Sequence, residues 1–381
     1  MKVSIVFGTR PEAIKLAPVI LELQKHSAAF DVIICVTAQH REMLDQVLKI
    51  FEIIPDYDLD VMQKNQDLFD VTANSLLGLR GVLNEIHPDI VVVQGDTTTA
   101  FVAGLAAYYL KIPIAHVEAG LRTNDKYSPF PEEKNRHLLS TLADLHFAPT
   151  EWGKNNLLSE GINEKKVFVT GNTVIDSLMV ILDKIREPSV RKMLDEKFAF
   201  LNSKKRLILI TGHRRESFGE GFNNICTAIR ALASEYLDYE FVYPVHLNPN
   251  VRKPVQEILE GNKLCNVHLI EPLDYLPFVY LMNRAYFILT DSGGVQEEAP
   301  SLGKPVLVMR DTTERPEGIE AGVVKLVGNS TATIIREVKK IIENENEYNK
   351  MAQSKNPYGD GQSAKRICKV LSTYHQECGG Q

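Results

Sequence analysis

The 381-residue sequence lacks any long hydrophobic run. Its longest uncharged apolar stretch, residues 101–110, is about half the length of a membrane-spanning helix. The apolar run near the amino terminus, residues 3–7, is too short for the core of a signal peptide. We therefore expect a cytoplasmic protein that does not insert into a membrane.

Cysteine is also scarce, and the sequence lacks the common cofactor motifs. The five cysteines are odd in number and contain no C-x-x-C pair, which argues against a disulfide framework or a zinc site. No G-x-G-x-x-G follows a predicted strand, and neither a G-x-x-x-x-G-K-[ST] nor an H-E-x-x-H motif is present. The sequence therefore predicts no metal, no nicotinamide or flavin cofactor and no P-loop.

An excess of positive charge is missing as well. Lys and Arg total 43 against 49 Asp and Glu, so the net charge is −6. A protein that binds nucleic acid or an anionic membrane non-specifically needs a basic face, and this balance argues against both partners. The hydrophobic fraction of 44% is typical of a soluble globular protein. At roughly 150 residues per domain, the length indicates two domains.

Short β-branched runs alternate with helical patterns along most of the chain. The runs are almost continuously apolar, as in parallel strands that are covered on both faces. The pattern weakens over residues 176–203 and then restarts, which predicts an α/β protein with two Rossmann-like, doubly wound parallel-sheet domains. We place the domains at residues 1–172 and 173–362. The predicted strands are residues 3–7, 31–36, 90–93, 112–116, 145–147 and 167–169, then 206–211, 240–245, 266–270, 286–289, 305–308 and 323–326.

Ligands of open parallel sheets bind at the carboxyl ends of the strands, so we expect the functional residues in the loops that follow the predicted strands. The first such loop has the sequence GTRPE, and its helix start, with Arg10 and Lys15, suits an anion. An ordinary strand-to-helix turn explains it equally well. Asp96 is either a helix cap or a carboxylate in the site. Glu118 leaves a buried strand end, which favours function. Glu132 and Glu133 are either first-turn helix acids or supply a third site carboxylate.

Two loops of the second domain have the character of anion sites. His213 follows a predicted strand together with Arg214 and Arg215, although a lone histidine is more often structural. The segment TDSGGVQEE combines a helix-capping Ser292 with two glycines that permit close backbone approach, so it predicts a phosphate site. Glu298, further into that helix, is placed to accept hydrogen bonds from ribose hydroxyls. The alternative is a glycine-rich loop that simply leads into a helix.

These motifs resemble those of the bacterial non-hydrolysing UDP-N-acetylglucosamine 2-epimerases. The resemblance extends from residue 2 to about residue 370 and includes GTRPEAIK, GDTTT, HVEAGLRT, SPFPEE, TGHRRESFG, TDSGGVQEEAPSLGKPVLVMRDTTERPE and NPYGDG. It implies a GT-B architecture, with two Rossmann-like domains facing a deep cleft and a C-terminal helix, residues 363–381, that joins the first domain. It also implies a homodimer that interconverts UDP-GlcNAc and UDP-ManNAc without a cofactor and supplies UDP-ManNAc for envelope or capsular polysaccharides.

The same resemblance implies a mechanism and residue roles. The C2 proton is removed and UDP leaves C1 by anti elimination, 2-acetamidoglucal forms, and UDP adds back while a proton returns to the other face of C2. Which carboxylate removes which proton stays open. The implied catalytic residues are Asp96, Glu118, Glu132 and His213. The residues expected to bind UDP or substrate are Arg10, Lys15, Phe278, Ser292, Gly293, Gly294, Glu298 and Arg315.

Many members of this family are activated by a second UDP-GlcNAc. The matching positions are Gln39, Gln66, Arg214 and His246, with Glu132 shared. Glu42 replaces a Gln of some members and Asn65 replaces an Arg, so one anion-binding contact is lost. Three alternatives remain: a GT-B glycosyltransferase, a hydrolysing epimerase that releases UDP and ManNAc, and a catalytically silent nucleotide-sugar sensor.

Overall fold

The computed structural model describes residues 1–37, 41–62, 66–262 and 264–379. The chain divides into two compact units, of which unit 1 comprises Met1–Val180 and Tyr358–Gln381, and unit 2 comprises Ile181–Pro357. Each unit is built on one parallel sheet with helices between successive strands. The predicted α/β class, with two Rossmann-like parallel sheets, is confirmed.

The sheet of unit 1 has seven strands in the order β3-β2-β1-β4-β5-β6-β7. They are β1 (Lys2–Phe7), β2 (Asp31–Val36), β3 (Tyr57–Asp58), β4 (Ile90–Gln94), β5 (Ile114–Val117), β6 (Leu145–Ala148) and β7 (Val167–Val169). The chain first builds the sheet outward from β1 through β2 to β3, then returns to add β4 on the other side of β1. The loops after β1 and β4 therefore lie at the topological switch point, where doubly wound sheets bind ligands.

The helices of the first part of the chain begin at the ends of these strands. They are α1 (Arg10–Lys25), α2 (Arg41–Phe51), α3 (Leu68–Ile86), α4 (Thr98–Tyr109), α5 (Glu132–Leu142), α6 (Glu151–Ser159) and α7 (Thr173–Arg186). One core cluster joins Val91 and Val93 of β4 to Leu79 of α3 and Ala103 of α4. Burial of this apolar surface stabilises the loops that connect these elements.

Unit 2 repeats the plan with six strands in the order β10-β9-β8-β11-β12-β13. The strands are β8 (Arg206–Thr211), β9 (Tyr239–Pro244), β10 (Val267–Ile270), β11 (Ala285–Thr290), β12 (Val306–Val308) and β13 (Val324–Leu326). The helices are α8 (Pro188–Lys197), α9 (Glu220–Glu235), α10 (Pro249–Ile258), α11 (Tyr275–Arg284), α12 (Gly293–Glu298), α13 (Pro316–Glu320), α14 (Thr331–Glu343) and α15 (Glu345–Ala352). The switch point lies between β8 and β11, so the loops after these two strands are neighbours.

The chain returns to unit 1 through α16 (Ser363–Gly379). The main-chain N–H of Asn172 donates to the carbonyl of Tyr358 at 2.7 Å. The Asp176 carboxylate accepts the main-chain N–H groups of Ser363 and Ala364 at 3.2 and 2.9 Å. These bonds tie the first half of α7 to unit 1, so residues 173–180 belong there, whereas the predicted second domain begins at residue 173.

Candidate active site

Glu118 follows β5 directly and is buried at the carboxyl end of the strand. Its main chain is left-handed, with φ of 63°, a conformation that non-glycine residues rarely adopt outside functional or tightly constrained positions. Lys15 places its Nζ 2.5 and 2.7 Å from the two carboxylate oxygens, Asn172 donates at 3.1 Å, and Gln94 also donates. Lys15, predicted as a ligand-binding cation, thus pairs with the Glu118 carboxylate in this structure.

Asp96 lies in the loop after β4, the strand that pairs with β5. Its carboxylate accepts hydrogen bonds from two nitrogens of Arg136, with 3.1 Å to Nε, and its carbonyl accepts one from Asn135 at 2.9 Å. The cap of α4 is Thr97, whose Oγ1 accepts the N–H of Ala100 at 3.0 Å. The helix-cap interpretation of Asp96 is therefore wrong.

The two acids at the start of α5 differ in their surroundings. Glu133 is completely buried and accepts the main-chain N–H groups of Thr123 and Asn124 as well as Nη1 of Arg136 at 2.9 Å. Burial opposes the ionised form of Glu133, but these donors outweigh it and lower the pKa. Glu132 is partly buried, and within the described residues its carboxylate has no hydrogen bond or ion pair. Glu133 thus orients Arg136, whereas Glu132 is available to a ligand.

The loop after β1 presents a cation at a helix start. Arg10 is the first residue of α1, and its guanidinium has no hydrogen-bond or ion-pair partner among the described residues. Sequence reasoning missed the neighbouring Glu12, which is 1% exposed. Burial raises the pKa of Glu12 from about 4.5 to about 7, and its hydrogen bonds only partly offset that effect. The first turn of α1 therefore combines an unpaired cation with a buried acid.

In unit 2 the loops after β8 and β11 meet at Asp291. This carboxylate is fully buried and accepts the main-chain N–H groups of His213 and Arg214 at 2.6 and 2.7 Å. The His213 ring stacks on His246 with centroids 5.3 Å apart and an interplanar angle of 17°. Asp291 thus fixes the segment that carries His213. Sequence reasoning did not select it, although its place between a buried strand and two glycines was a usable signal.

The helix start at α12 is surrounded by charged groups. Ser292 precedes the helix, and its N–H donates to Thr290 at 2.9 Å. The Arg315 guanidinium covers Gly293 so closely that a Cβ there would lie 2.6 Å from Nη1. Arg315 also donates to Glu297 at 2.6 Å and to Glu314 at 2.5 Å. The guanidinium is thereby held against the main chain at which the phosphate site is predicted.

The remaining predicted ligand residues of unit 2 lie on α11 and α12. Glu298 is buried, and the hydroxyl of Tyr275 donates to its Oε1 at 2.5 Å. Burial raises the pKa of Tyr275 well above its usual value, and the nearby Glu298 charge adds to the shift, so the phenol stays a donor. Phe278 is partly buried on α11, and Gly294 is partly buried at the start of α12.

The predicted second nucleotide-sugar site is only partly covered by the structure. Gln39, together with Asn65 and the side chain of Glu42, lies outside the described residues. Gln66 donates from Nε2 to the carbonyl of Val61 at 2.7 Å. Arg214 is partly exposed, with Nη2 4.0 Å from Glu314.

Over residues 1–37, 41–62, 66–262 and 264–379, no group of three or more His, Cys, Asp or Glu side chains is arranged to hold a metal ion. Within the same ranges, no helix has the length and apolar character needed to cross a membrane.

Two Rossmann-like parallel-sheet units with strand-end carboxylates in one and a glycine-rich helix start in the other define an enzyme of GT-B type. A sequence model of the UDP-N-acetylglucosamine 2-epimerase family matches residues 21–372. The chain belongs to the UDP-N-acetylglucosamine 2-epimerase family.

Individual relatives agree with this assignment. The UDP-N-acetylglucosamine 2-epimerase of Neisseria meningitidis is 58% identical over 371 residues, covering 97% of this chain and 99% of the relative. The enzyme of Escherichia coli K12 is 56% identical over 372 residues, covering 97% and 98%. The Neisseria meningitidis structure bound to UDP-GlcNAc superposes with a TM-score of 0.91 over 97% of this chain and 99% of that one. A Methanocaldococcus jannaschii epimerase in complex with UDP-GlcNAc and UDP, 38% identical, gives 0.80 over 98% and 100%.

Proposed function

We propose that the protein interconverts UDP-GlcNAc and UDP-ManNAc reversibly and without hydrolysis. The observation that carries the proposal is the pair of carboxylates at the ends of adjacent strands β4 and β5. Asp96 binds Arg136 and Glu118 binds Lys15, so each acid has its own cation within unit 1. Epimerisation at C2 requires one group to remove a proton and another to deliver one to the opposite face. Two separately held carboxylates suit that task.

The reaction balances without a redox cofactor. A base removes the C2 proton while the C1–O bond breaks and its electron pair leaves with UDP, so a C1=C2 double bond forms in 2-acetamidoglucal. UDP then adds back to C1 and a proton returns to the opposite face of C2. Asp96, Glu118 and Glu132 serve as the acids and bases of these steps.

The leaving diphosphate requires positive groups that are already in place. Arg10 lacks an internal partner among the described residues, and the main-chain N–H of His213 donates to Asp291, which fixes the loop that carries the imidazole. We assign contacts with the phosphate oxygens to both side chains. The main-chain N–H groups of Ser292, Gly293 and Gly294 bind the same group. Glu298 accepts from the ribose, Phe278 contacts the uracil, and Arg315 is a second basic contact.

Proton NMR of UDP-GlcNAc with the enzyme in deuterated water tests this proposal. We expect deuterium to appear at C2 and the signals of UDP-ManNAc to grow, with the sugar still attached to UDP. Release of free ManNAc and UDP would identify a hydrolysing epimerase. A spectrum that changes only after an acceptor is added would identify a glycosyltransferase. No change with or without an acceptor would indicate a nucleotide-sugar sensor.

Activation by a second UDP-GlcNAc belongs to the same proposal. The stacking of His246, a candidate for the second site, on His213, a candidate for the first, provides a direct contact between the two residue sets. We expect the initial rate to rise sigmoidally with UDP-GlcNAc concentration and His246→Ala to make the curve more hyperbolic. A hyperbolic curve for the unmodified enzyme would contradict this part.

We further propose that the enzyme is a cytoplasmic homodimer that supplies UDP-ManNAc for polysaccharide synthesis. Helices α3 and α4 expose the large apolar side chains of Phe69, Leu77, Tyr108 and Tyr109, which suit an interface between copies. The free thiols of Cys35, Cys226 and Cys368 are buried and compatible with a reducing compartment. Light scattering on a sizing column should give twice the chain mass of 42.8 kDa. A mass equal to one chain would contradict the dimer.

A further inference from the structure

The buried acid Glu12 connects two loops of unit 1. Its Oε2 accepts the main-chain N–H groups of Gly8 at 3.1 Å and Thr9 at 2.8 Å, both in the loop after β1. Its Oε1 accepts the hydroxyl of Thr97 at 2.7 Å, in the loop after β4. One side chain thus bonds to both loops at the switch point of the sheet.

The residues next to these contacts are those with proposed roles in the reaction. Arg10 lies between Thr9 and Glu12, so the Oε2 contacts hold the turn that presents its guanidinium. Asp96 directly precedes Thr97, which is also the cap of α4. Glu12 therefore sets the position of Arg10 relative to Asp96.

Helix capping alone does not account for this arrangement. A capping box needs an acid at the third helical position that accepts the N–H of the cap residue, which Oε2 already does. The chain has a second capping box on α3, where Asp67 and Asp70 make the reciprocal bonds at the protein surface. In α1 the acid is instead buried, at an energetic cost, and its second oxygen bonds to another loop.

The surrounding packing leaves the loop after β1 little freedom. A Cβ on Gly8 would overlap the hydroxyls of Thr37 and Thr99, which are themselves 2.9 Å apart in a hydrogen bond. The two loops are thus in close contact on one side and joined through Glu12 on the other. Loss of the bond between Glu12 and Thr97 should therefore alter the spacing of the two loops.

We propose that Glu12 is a positioning residue for the epimerisation, which holds the Arg10 loop and the Asp96 loop in register through its bond to Thr97. This inference rests on the proposed function. Because reacting groups misplaced by about 1 Å can lose a factor of about 100 in rate, the loss of this bond should act on kcat. It should leave the KM for UDP-GlcNAc nearly unchanged, since most proposed UDP contacts lie in unit 2.

The test compares Thr97→Val with Thr97→Ser. Valine has the shape of threonine without the hydroxyl, whereas serine keeps the hydroxyl that donates to Glu12 and caps α4. We expect Thr97→Val to lower kcat about 10- to 100-fold with KM within about threefold, and Thr97→Ser to retain most of the activity. Asn344→Ala controls for the loss of a helix cap, because Asn344 caps α15 in unit 2 through Asn346 and Glu347. It should lower stability without lowering kcat.

Glu12→Gln and hydrogen exchange distinguish a positioning role of Glu12 from a general loss of stability. In Glu12→Gln the amide oxygen can accept from Gly8 and Thr9 while its NH2 donates to Thr97, so this variant should keep kcat within about fivefold of the unmodified value. Hydrogen exchange over residues 8–13 and 95–100 should accelerate in Thr97→Val alone. A Thr97→Val enzyme with normal kcat and normal exchange would overturn the positioning role. If the unmodified protein shows no epimerisation, the proposed function fails, and the exchange result still decides whether Glu12 couples the loops.

Discussion

Glu12 and Glu133 are both buried carboxylates in unit 1, yet their pKa values shift in opposite directions. Burial raises the pKa of Glu12 to about 7, because its partners are neutral N–H and hydroxyl donors. Glu133 experiences burial as well, but two N–H donors and the Arg136 cation lower its pKa. Burial alone therefore does not decide which buried acid of this unit stays charged, because main-chain donors and a nearby cation together reverse its effect at Glu133.

The first residue-scale prediction concerns stability against pH. The pKa of Glu12 is about 7 in the folded state and about 4.5 when the chain is unfolded. A raised pKa means that its contribution to folding is most favourable below pH 4.5 and is lost as pH rises through 7. The difference in unfolding free energy between the unmodified protein and Glu12→Gln should therefore fall by about 3 kcal/mol from pH 4.5 to pH 8. Urea unfolding of both proteins at each pH measures it.

Glu164→Gln is the matched control for this titration. Glu164 is exposed, and its hydrogen bond and ion pair with Lys154 lower its pKa, so its contribution should instead weaken as pH falls. A pH-independent difference for Glu12→Gln would show that the Glu12 carboxyl titrates normally in the folded protein.

The second residue-scale prediction concerns the chemistry at Asp96. Asp96→Asn keeps the shape and an acceptor for Arg136 but cannot exchange a proton at the sugar. We expect turnover to fall at least about 100-fold. UDP should still bind, because its proposed contacts do not include Asp96. Calorimetric titration with UDP and the exchange of the C2 proton provide the two measurements, and turnover like that of the unmodified enzyme would remove Asp96 from the mechanism.

Single residues also show how far sequence reasoning reaches. Asp96, Glu118 and His213 were selected because each lies within three residues of the end of a predicted strand, and the structure places them at strand ends. Glu12 and Arg136 were missed because their partners are distant in sequence: Thr97 is 85 residues from Glu12, and Asp96 is 40 residues from Arg136. Local periodicity contains no signal for such pairs, so only the folded sheet reveals them.

At the scale of elements, strands that are apolar on both faces were predictable and the marginal ones were not. Strand β1 ends at the predicted residue 7, and strand β8 has both predicted bounds, 206 and 211, because continuous apolar runs define these strands. Strand β3 was missed, since it has only two residues, Tyr57 and Asp58, with no periodicity to detect. Pro188, which lies in the segment where the alternating pattern weakens, is the first residue of α8, a position at which proline is compatible with a helix.

The loop after β5 gives the element-scale prediction. Gly120 has φ of 92°, and a Cβ there would collide with the carbonyl of Gly153 in α6. Gly120→Ala should therefore lower the unfolding free energy by about 3 kcal/mol or more and misplace Glu118, two residues earlier. Gly81→Ala is the control, because Gly81 lies inside α3 with open space around it and should gain about 0.5–1 kcal/mol. Urea unfolding curves check both values, and equal stability of the two variants would contradict the argument.

At the scale of the whole molecule, the net charge of −6 does not indicate whether the protein can bind an anion at one site. Many of its acids already have partners: Glu314, for example, lies beside Arg310 and Arg315, which overcome the effect of burial and lower its pKa to about 2. Arg10, by contrast, has no partner among the described residues. An acidic chain can therefore bind a diphosphate through a few locally unpaired cations and helix starts.

The whole-molecule prediction concerns the link between α7 and α16. Asp176→Ala removes the acceptor of two main-chain N–H groups at the start of α16, which should lower stability by about 2 kcal/mol. Asp183→Ala, on the same helix, removes only an exposed ion pair with Arg186 and should cost about 0.5 kcal/mol or less. Limited proteolysis should cut the segment after residue 357 faster in Asp176→Ala than in Asp183→Ala. Equal cleavage rates would show that Asp176 does not anchor α16.

The return of α16 to unit 1 has a consequence for how the chain folds during synthesis. Unit 2 is one continuous stretch, Ile181–Pro357, so all of its strands are synthesised before α16. Unit 1 begins first but lacks the helix that packs on α1 until α16 has been synthesised. The unit that starts second is therefore the first whose chain is completely synthesised, and the surface of α1 that α16 covers lacks this partner until all of unit 2 has been translated.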